Sequence, residues 1–183
     1  MHMATTTKRW TLDEVHSLPD DGNRYELLRG DLLVTPPPSV GHEEIAAVLA
    51  GILHAYVAAH GLGRVYHPRA VIRALGSEVE PDLMVRRVAP TASWAEAPRP
   101  ILVVEIVSGS TRRRDYGKKR QLYLDLEIPE YWIVDSEEQW VRIVRPRSDD
   151  QIVRQVLQWA PAATEALAID LPALFRAGGA TAR

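Results

Sequence analysis

The spacing of apolar and polar residues in the first third of the chain predicts two helices around a β-hairpin. Residues 11–19 begin with Thr followed three positions later by Glu, which is the capping-box spacing, and end on a proline, so they predict a short helix. Two short apolar runs meet at residues 29–31, an Arg-Gly-Asp sequence typical of a hairpin turn. After three prolines, Ser39 can cap a helix whose apolar residues recur at helical spacing and which ends at Gly61 or Gly63.

The rest of the chain alternates between apolar runs typical of strands and one further long helix. That helix is predicted from Arg112 to about Glu127, and a strand followed by a short helix is predicted over residues 166–175. Strands are predicted at residues 64–75, 80–87, 101–107, 130–135, 140–146 and 151–159. The order predicts an α/β (α+β) fold with a mixed central sheet flanked by helices, in a single domain over residues 1–183 with a core at about 25–145.

Length, charge and residue composition limit the classes of protein to which this chain can belong. The chain has 183 residues, and 22 basic against 24 acidic residues give a net charge of −2, so any signal for nucleic-acid binding must be local. The absence of cysteine excludes disulfides, thiolate metal sites and a thiol nucleophile. No apolar stretch approaches the roughly 20 residues that span a bilayer, and the N-terminus lacks an apolar secretory core. We therefore expect a cytoplasmic protein with no membrane partner.

One carboxylate interrupts the most apolar predicted strand. Glu105 lies in the middle of residues 101–107, whose other six residues are apolar. Burying an unpaired carboxylate costs several kcal/mol unless a proton, a cation or a metal compensates it. Asp82, at the start of the preceding strand, can reach the same sheet edge, and a divalent cation between the two acids would remove their repulsion, giving a Mg²⁺ or Mn²⁺ site. The alternative is an edge acid that faces solvent or an ordinary paired carboxylate.

The second long helix offers a lysine to this site. Lys119 has Asp115 and Tyr123 one turn to either side on the same helical face, and Tyr123 belongs to the apolar side of the helix. That face therefore turns Lys119 towards the sheet, where it could orient a metal-bound water and stabilise charge on a phosphate. The alternative is a lysine that extends to solvent and pairs with Asp115.

The start of the same helix is strongly basic. Positive charge in a first helical turn opposes the helix dipole, so an anionic partner such as phosphate is favoured, although such runs are more usually solvated surfaces. The candidate phosphate-binding residues are Arg112, Arg113, Arg114 and Lys118. Two further residues could reach the same edge, His42 in the first turn of the first long helix and Glu26 in the hairpin. Each is more often structural, as a helix-capping histidine or a salt-bridged acid.

With these residues in place, the sequence resembles the Uma-type restriction endonuclease family of the PD-(D/E)XK nuclease superfamily. The resemblance extends from about Tyr25 to Phe175 and is specific only as a combination of motifs. Those motifs are YELLRGDLLV, PPPSVGHEEI, EPDLMV, ILVVEIVSGSTRRRDYGKK and EIPEYWIVD. The resemblance implies a restriction-endonuclease-like fold and a Mg²⁺- or Mn²⁺-dependent endonuclease that hydrolyses DNA phosphodiester bonds.

The resemblance also assigns roles to individual residues. Asp82 matches the metal-binding Asp, and Glu105 matches the acid of the (D/E)XK element. The lysine expected two residues later is absent because Val107 stands there, and Lys119 with Tyr123 matches the family's KxxxY pattern in the next helix. Asp82, Glu105 and Lys119 are thus the expected catalytic residues, with the two acids as metal ligands. Glu26, His42 and Tyr123 are accessory candidates.

Other interpretations remain open at the level of sequence. A nuclease-like fold can serve as a catalytically inactive binding or assembly module, and a metal hydrolase could act on another phosphoester. The nucleic acid could be DNA or RNA. A homodimer is also predicted on the grounds that the strands at 130–135 and 140–146 could offer an unprotected sheet edge.

Overall fold

The computed structural model describes residues 8–91, 93–107, 115–162 and 165–179. The helices are α1 (Leu12–His16), α2 (Val40–Ala59), α3 (Arg120–Asp125), which continues a π-helical turn at Asp115–Lys119, and α4 (Leu171–Ala177). The strands are β1 (Arg24–Leu28), β2 (Asp31–Thr35), β3 (Arg64–Tyr66), β4 (Ile72–Ala74), β5 (Ser77–Val79), β6 (Leu83–Arg86), β7 (Leu102–Val107), β8 (Tyr131–Asp135), β9 (Trp140–Val144), β10 (Gln151–Val153), β11 (Val156–Trp159) and β12 (Leu167–Asp170). Within these ranges no helix combines the length and the apolar character needed to cross a membrane.

The central sheet has six strands in the order β10-β9-β8-β7-β6-β3. β7 and β8 pair in parallel and the other neighbours are antiparallel, so the sheet is mixed, as the sequence predicted. A smaller sheet has the order β2-β1-β5-β4, and β11 pairs with β12. The parallel β7/β8 pair requires a crossover connection, and α3 belongs to it.

Each face of the central sheet packs against a different layer. On one face, α2 and α4 contribute Leu49, Leu53 and Leu174 to an apolar core that includes Val104 of β7. On the other face, α3 and the smaller sheet form a second core around Val103 and Val107 of β7, with contributions from β1, β4 and β5. Successive residues of a strand point to opposite faces, so Glu105 shares the α3 face with Val103 and Val107.

Local sequence signals explain where the first elements begin. The Thr11 side chain accepts a hydrogen bond from the Glu14 amide, and the Glu14 carboxylate accepts one from the Thr11 amide, which is the predicted capping box. Ser39 caps α2 by accepting from the His42 amide. The β1-β2 hairpin turns at Arg29 and Gly30, which both have positive φ (51° and 85°), as a two-residue turn with the twist of the strands requires.

Two of the predicted strands are each divided between two sheets. Residues 64–75 form β3 and β4, because Tyr66 pairs with Met84 in the central sheet whereas Ile72 pairs with Val79 in the smaller one. Pro68 lies in the intervening turn and cannot donate to a strand ladder. Residues 151–159 likewise form β10 in the central sheet and β11 in the two-stranded sheet.

Two further expectations about the strands were wrong. The segment predicted at residues 80–87 starts only at β6, after Pro81, and the preceding strand β5 was missed although it forms a hairpin with β4. The sheet edge proposed for dimerisation is not an edge. β8 lies between β7 and β9, and β9 is covered by β10, so the strands at the two ends are β10 and β3.

Candidate active site

The pairing of β6 with β7 brings the two predicted acids together. Leu83 pairs with Val104 and Met84 with Val103, so the register continued by one residue sets Asp82 opposite Glu105. Opposite residues of an antiparallel pair point to the same face of the sheet. Both side chains are buried, with 5% of Asp82 and 2% of Glu105 exposed. Two carboxylates therefore share one largely desolvated position, which demands nearby positive charge.

Asp82 is held by donors from three different elements. Its Oδ2 atom accepts a hydrogen bond of 2.8 Å from the Ile106 amide of β7. Its Oδ1 atom accepts from Nη1 of Arg24 at 3.1 Å and lies 3.5 Å from Nε2 of His42. Arg24 comes from β1 and His42 from the first turn of α2, so Asp82 links both sheets and the long helix.

This arrangement sets the charge state of all three side chains. Burial alone would raise the pKa of Asp82, but the hydrogen bond with His42 and the charge of Arg24 outweigh it, and the pKa lies well below the usual value. Burial would lower the pKa of His42, but its interactions with Asp82 raise it above 6.5. For Arg24, the carboxylates of Asp82, Glu26 and Glu105 overcome burial and raise the pKa. Asp82 is thus held as the anion.

Glu105 belongs to a second set of buried charges next to Asp82. Nζ of Lys119 lies 2.9 Å from Oε1 of Glu105 and 2.9 Å from Oε1 of Glu26. The Tyr123 hydroxyl donates a 2.7 Å hydrogen bond to the same oxygen of Glu105. Lys119 is 1% exposed, so it does not extend to solvent, and the predicted inward orientation is confirmed.

The helix after β7 places these two partners by ordinary helical spacing. Lys119 closes the π-helical turn and Tyr123 follows four residues later in α3, so both side chains lie on the face towards the sheet. Burial and the nearby Glu105 carboxylate raise the pKa of Tyr123 well above its usual value. The tyrosine therefore stays protonated and remains a donor. Glu26 also accepts a 2.8 Å hydrogen bond from the Glu80 amide, which ties β1 to the segment before Asp82.

A cavity of about 910 Å³ opens onto one side of this cluster. Its wall includes Asp82 and Glu105 and the cationic side chains of Arg24 and His42, whereas Glu26, Lys119 and Tyr123 lie behind that wall. Residues 35–39, the Thr-Pro-Pro-Pro-Ser segment before α2, also line the cavity. Two carboxylates are thus presented to a space large enough for a substrate, with a lysine and a tyrosine supporting one of them.

The structure gathers six of the predicted site residues and leaves one elsewhere. Asp82, Glu105, Lys119, Glu26, His42 and Tyr123 form one connected cluster. Lys118 instead points to the surface, where its Nζ atom lies 2.7 Å from Oδ2 of Asp31. The other candidate phosphate ligands, Arg112, Arg113 and Arg114, lie outside the described residues.

Arg24 is the site residue that the sequence analysis missed. Besides binding Asp82, its Nη1 atom donates to the Glu80 carbonyl at 3.0 Å, so it fastens the chain just before the acid. A signal for it was present in the sequence. Arg24 stands two residues before Glu26 in a predicted strand, and alternate strand residues share a face.

The donor set of the cluster is chemically suited to a hard divalent cation. Carboxylate oxygens are the ligands that Mg²⁺ and Mn²⁺ prefer, and Mg²⁺ is commonly bound by one or two carboxylates together with water. Oε2 of Glu26 is buried and lacks a hydrogen-bond partner in the described part of the chain, so the cluster has unused acceptor capacity. Among the described residues, however, no group of three or more His, Cys, Asp or Glu is arranged as a complete metal cage. Any cation would therefore rely on Asp82 and Glu105, the two buried acids in the cavity wall, and on water.

Comparison with known proteins agrees with the fold. The structure resembles the crystal structure of a "putative nuclease belonging to DUF820" from Anabaena variabilis ATCC 29413, with a TM-score of 0.76 and 20% sequence identity over 92% of this chain and 99% of that one. This likeness establishes a restriction-endonuclease-like fold, and a nuclease is the class of protein that fold and family support.

The family follows from the sequence itself. Residues 12–174 match the model of the Uma2 family, whose description is "Putative restriction endonuclease", and the chain belongs to that family. The resemblance stated from the motifs is thereby confirmed. No curated protein matches the chain.

Proposed function

We propose that this protein is a divalent-metal-dependent endonuclease that hydrolyses DNA phosphodiester bonds in the cavity beside β6 and β7. One observation carries the proposal: Asp82 and Glu105 stand opposite each other, buried, in the wall of a large cavity, with Lys119 directly behind Glu105. Membership of the Uma2 family supports the same class of reaction. DNA is the substrate that fits a restriction-type nuclease.

Charge balance in the cluster supports a bound cation. Three carboxylates, those of Glu26, Asp82 and Glu105, are buried next to two basic partners, Arg24 and Lys119, among the described residues. His42 adds a positive charge beside Asp82 when it is protonated. A divalent cation at the cavity wall would add positive charge beside the two buried acids that line it.

Each residue of the cluster has a defined part in the proposal. Asp82 and Glu105 hold the metal, and the Ile106 amide and Arg24 fix the orientation of Asp82. Lys119 lies behind the cavity wall, so we assign it to positioning Glu105 and to stabilising negative charge rather than to direct contact with substrate. Tyr123 shares that task by donating to the same Glu105 oxygen. When bound, Mg²⁺ or Mn²⁺ supplies a water of lowered pKa and polarises the phosphate.

Cleavage of supercoiled plasmid DNA in Mg²⁺ or Mn²⁺ tests the proposal. The wild-type protein should nick or linearise the plasmid and lose this activity in EDTA. Asp82→Asn and Glu105→Gln should each abolish cleavage while circular dichroism shows a folded protein. Glu130→Gln is the matched control, because Glu130 is another buried, ion-paired acid, 7% exposed, that lies outside the cavity wall.

The control separates loss of chemistry from loss of folding. Glu130→Gln should keep cleavage at nearly the wild-type rate. An inactive wild type in both metals, or a Glu105→Gln variant that still cleaves in parallel with wild type, would remove the proposed function.

A catalytically inactive binding module is the second candidate, and one observation favours it. The cluster already satisfies much of its charge internally, since Asp82 has three donors and Lys119 bridges two acids. Such a module would bind DNA without cleaving it, and Asp82→Asn would leave that binding intact. An electrophoretic mobility assay on the wild type and this variant distinguishes the two candidates.

A further inference from the structure

A second buried cation lies at the other end of β6. Arg86 is 3% exposed, and its Nη2 atom donates to the Val71 carbonyl at 2.9 Å. Its other two nitrogens, Nε and Nη1, are buried and have no hydrogen-bond partner in the described part of the chain. Arg86 is four residues from Asp82 on the same strand face, roughly 13 Å away at about 3.3 Å per residue.

This burial is unfavourable for the protein by itself. An unpaired guanidinium loses its hydration without gaining a carboxylate, and burial lowers the pKa of Arg86. The Trp94 ring, whose centroid lies 5.3 Å from the guanidinium carbon, offsets only part of the loss through a cation–π contact. The contrast with Arg24 is direct, because Arg24 is paired with Asp82. Arg86 thus has the unpaired donors that an oxyanion requires.

Arg86 forms part of a cavity of about 320 Å³, separate from the one at the candidate active site. The described residues that line it carry no acidic side chain. They include a second arginine, two hydroxyl groups and two aromatic rings, provided by Arg87, Thr91, Ser93, Tyr66 and Trp94. A volume of this size accommodates a small ligand such as a mononucleotide.

We propose that this cavity binds the phosphate group of a nucleotide through the unpaired N–H donors of Arg86. A guanidinium N–H forms a charge-assisted hydrogen bond with a phosphate oxygen, and aromatic rings beside it suit the base. Because these donors are almost inaccessible, the phosphate reaches them only if side chains that line the cavity, such as Trp94, shift on binding. The site is distinct from the Asp82 and Glu105 cluster and does not depend on the proposed cleavage reaction.

Isothermal titration calorimetry in EDTA tests the site without any contribution from metal. The probes are inorganic phosphate, deoxyadenosine 5′-monophosphate and deoxyadenosine. The nucleotide should bind most tightly, phosphate more weakly, and the nucleoside weakest. Arg86→Met should weaken nucleotide binding about ten- to hundred-fold, the expected effect of losing charge-assisted hydrogen bonds. Trp94→Phe should bind the nucleotide but lose a fluorescence change that wild type shows on binding.

Two controls keep the result specific. Arg99→Met removes an arginine that also donates to a backbone carbonyl, that of Leu126, but does not line the cavity, so nucleotide binding should be unchanged. Glu105→Gln should also bind normally, which separates this site from the proposed active site. If Arg86→Met does not fold, Arg86→Lys retains the charge but loses the planar guanidinium donors and should bind about ten-fold more weakly.

The source of the phosphate is resolved by competition. A 5′-phosphorylated single strand that displaces the nucleotide identifies a strand end as the ligand, and failure to displace it identifies a free nucleotide. Either result supports the site. The proposal is overturned if the wild type binds none of the phosphate-bearing probes, or if Arg86→Met binds the nucleotide as tightly as wild type does.

Discussion

The two faces of the central sheet have opposite character although the same strand supplies both. On the α2 face, Leu102, Val104 and Ile106 of β7 pack among apolar side chains. On the α3 face, Val103 and Val107 flank Glu105, and a cluster of ion pairs lies in the layer above. The α2 face is mainly an apolar core, whereas the α3 face combines an apolar core with a buried charge network.

The difference shows what each layer contributes. Apolar packing on the α2 face stabilises the sheet whatever the ionisation state of its neighbours. The α3 face stabilises only while its charges remain matched, because an unpaired buried charge costs far more than a lost apolar contact of similar size. The cavity wall includes both Asp82 and Glu105, so we attribute this network to the chemistry proposed for the site.

The largest effect is expected from removing the buried cation of the charged face. Lys119→Met leaves Glu26 and Glu105 buried together without their shared partner, so it should lower the free energy of unfolding by about 3–5 kcal/mol and abolish cleavage. Urea unfolding and plasmid cleavage measure the two effects. Lys119→Arg should recover most of the stability, and recovery of activity with it would show that the charge, rather than the ammonium itself, is required. A Lys119→Met variant as stable and active as wild type would contradict the role.

A cavity in the apolar face should destabilise the protein without changing its chemistry. Leu102 is fully buried, so Leu102→Ala should cost about 2–5 kcal/mol of unfolding free energy through lost contacts and the space left behind. Below its unfolding temperature the variant should keep the metal dependence and pH dependence of cleavage. If Leu102→Ala shifted the pH dependence of cleavage, the two faces would be coupled, and the contrast between them would not hold.

A smaller, pH-dependent effect is expected at His42. Its pKa is above 6.5 in the folded protein, so the protonated ring contributes stability that is fully present below pH 6.5 and is lost as the pH rises through the raised pKa. His42→Gln can still donate to Asp82 but does not titrate. Urea unfolding at about pH 5.5 and about pH 8.5 should show a fall in wild-type stability that the variant lacks. Equal pH dependence in both proteins would disprove the pairing.

The smallest effect is expected at the lysine next to Lys119. The Lys118 side chain is 61% exposed and pairs with Asp31 at the surface, so Lys118→Ala should change the free energy of unfolding by about 0–1 kcal/mol. This variant is the matched control for Lys119→Met, one residue away in the same helical turn. A large loss of stability would show that exposure does not distinguish the two lysines.

The charged cluster was largely predictable because its signals are local. Glu105 stands out as one acid in an apolar strand, and Tyr123 fixes the inward face of the helix that carries Lys119. Asp82 was predicted from its place at the start of the preceding strand. The pairing of Lys119 with two carboxylates could not be predicted from the sequence. Its second partner, Glu26, lies in a different sheet and 93 residues earlier in the chain.

The errors in the fold have the same physical origin. A run such as residues 64–75 has one apolar pattern, but its two ends pair with different strands, and nothing local specifies which partner each end takes. The prediction of an unpaired sheet edge at β9 was wrong for the same reason. Residues 151–153 of β10 pair with residues 141–143 of β9, so β9 lies inside the sheet. The pattern of apolar residues predicts which segments form strands. The sheet that each strand joins depends on pairing with residues far away in the sequence.

Calorimetric titration of Mn²⁺ into the wild type and Asp82→Asn tests the central claim most directly, because it measures whether the buried acids hold a cation independently of any substrate. The account predicts one saturable site in the wild type, at least ten-fold weaker in Asp82→Asn and unchanged in Glu130→Gln. Absence of binding to the wild type, or equal binding to the wild type and Asp82→Asn, would contradict it.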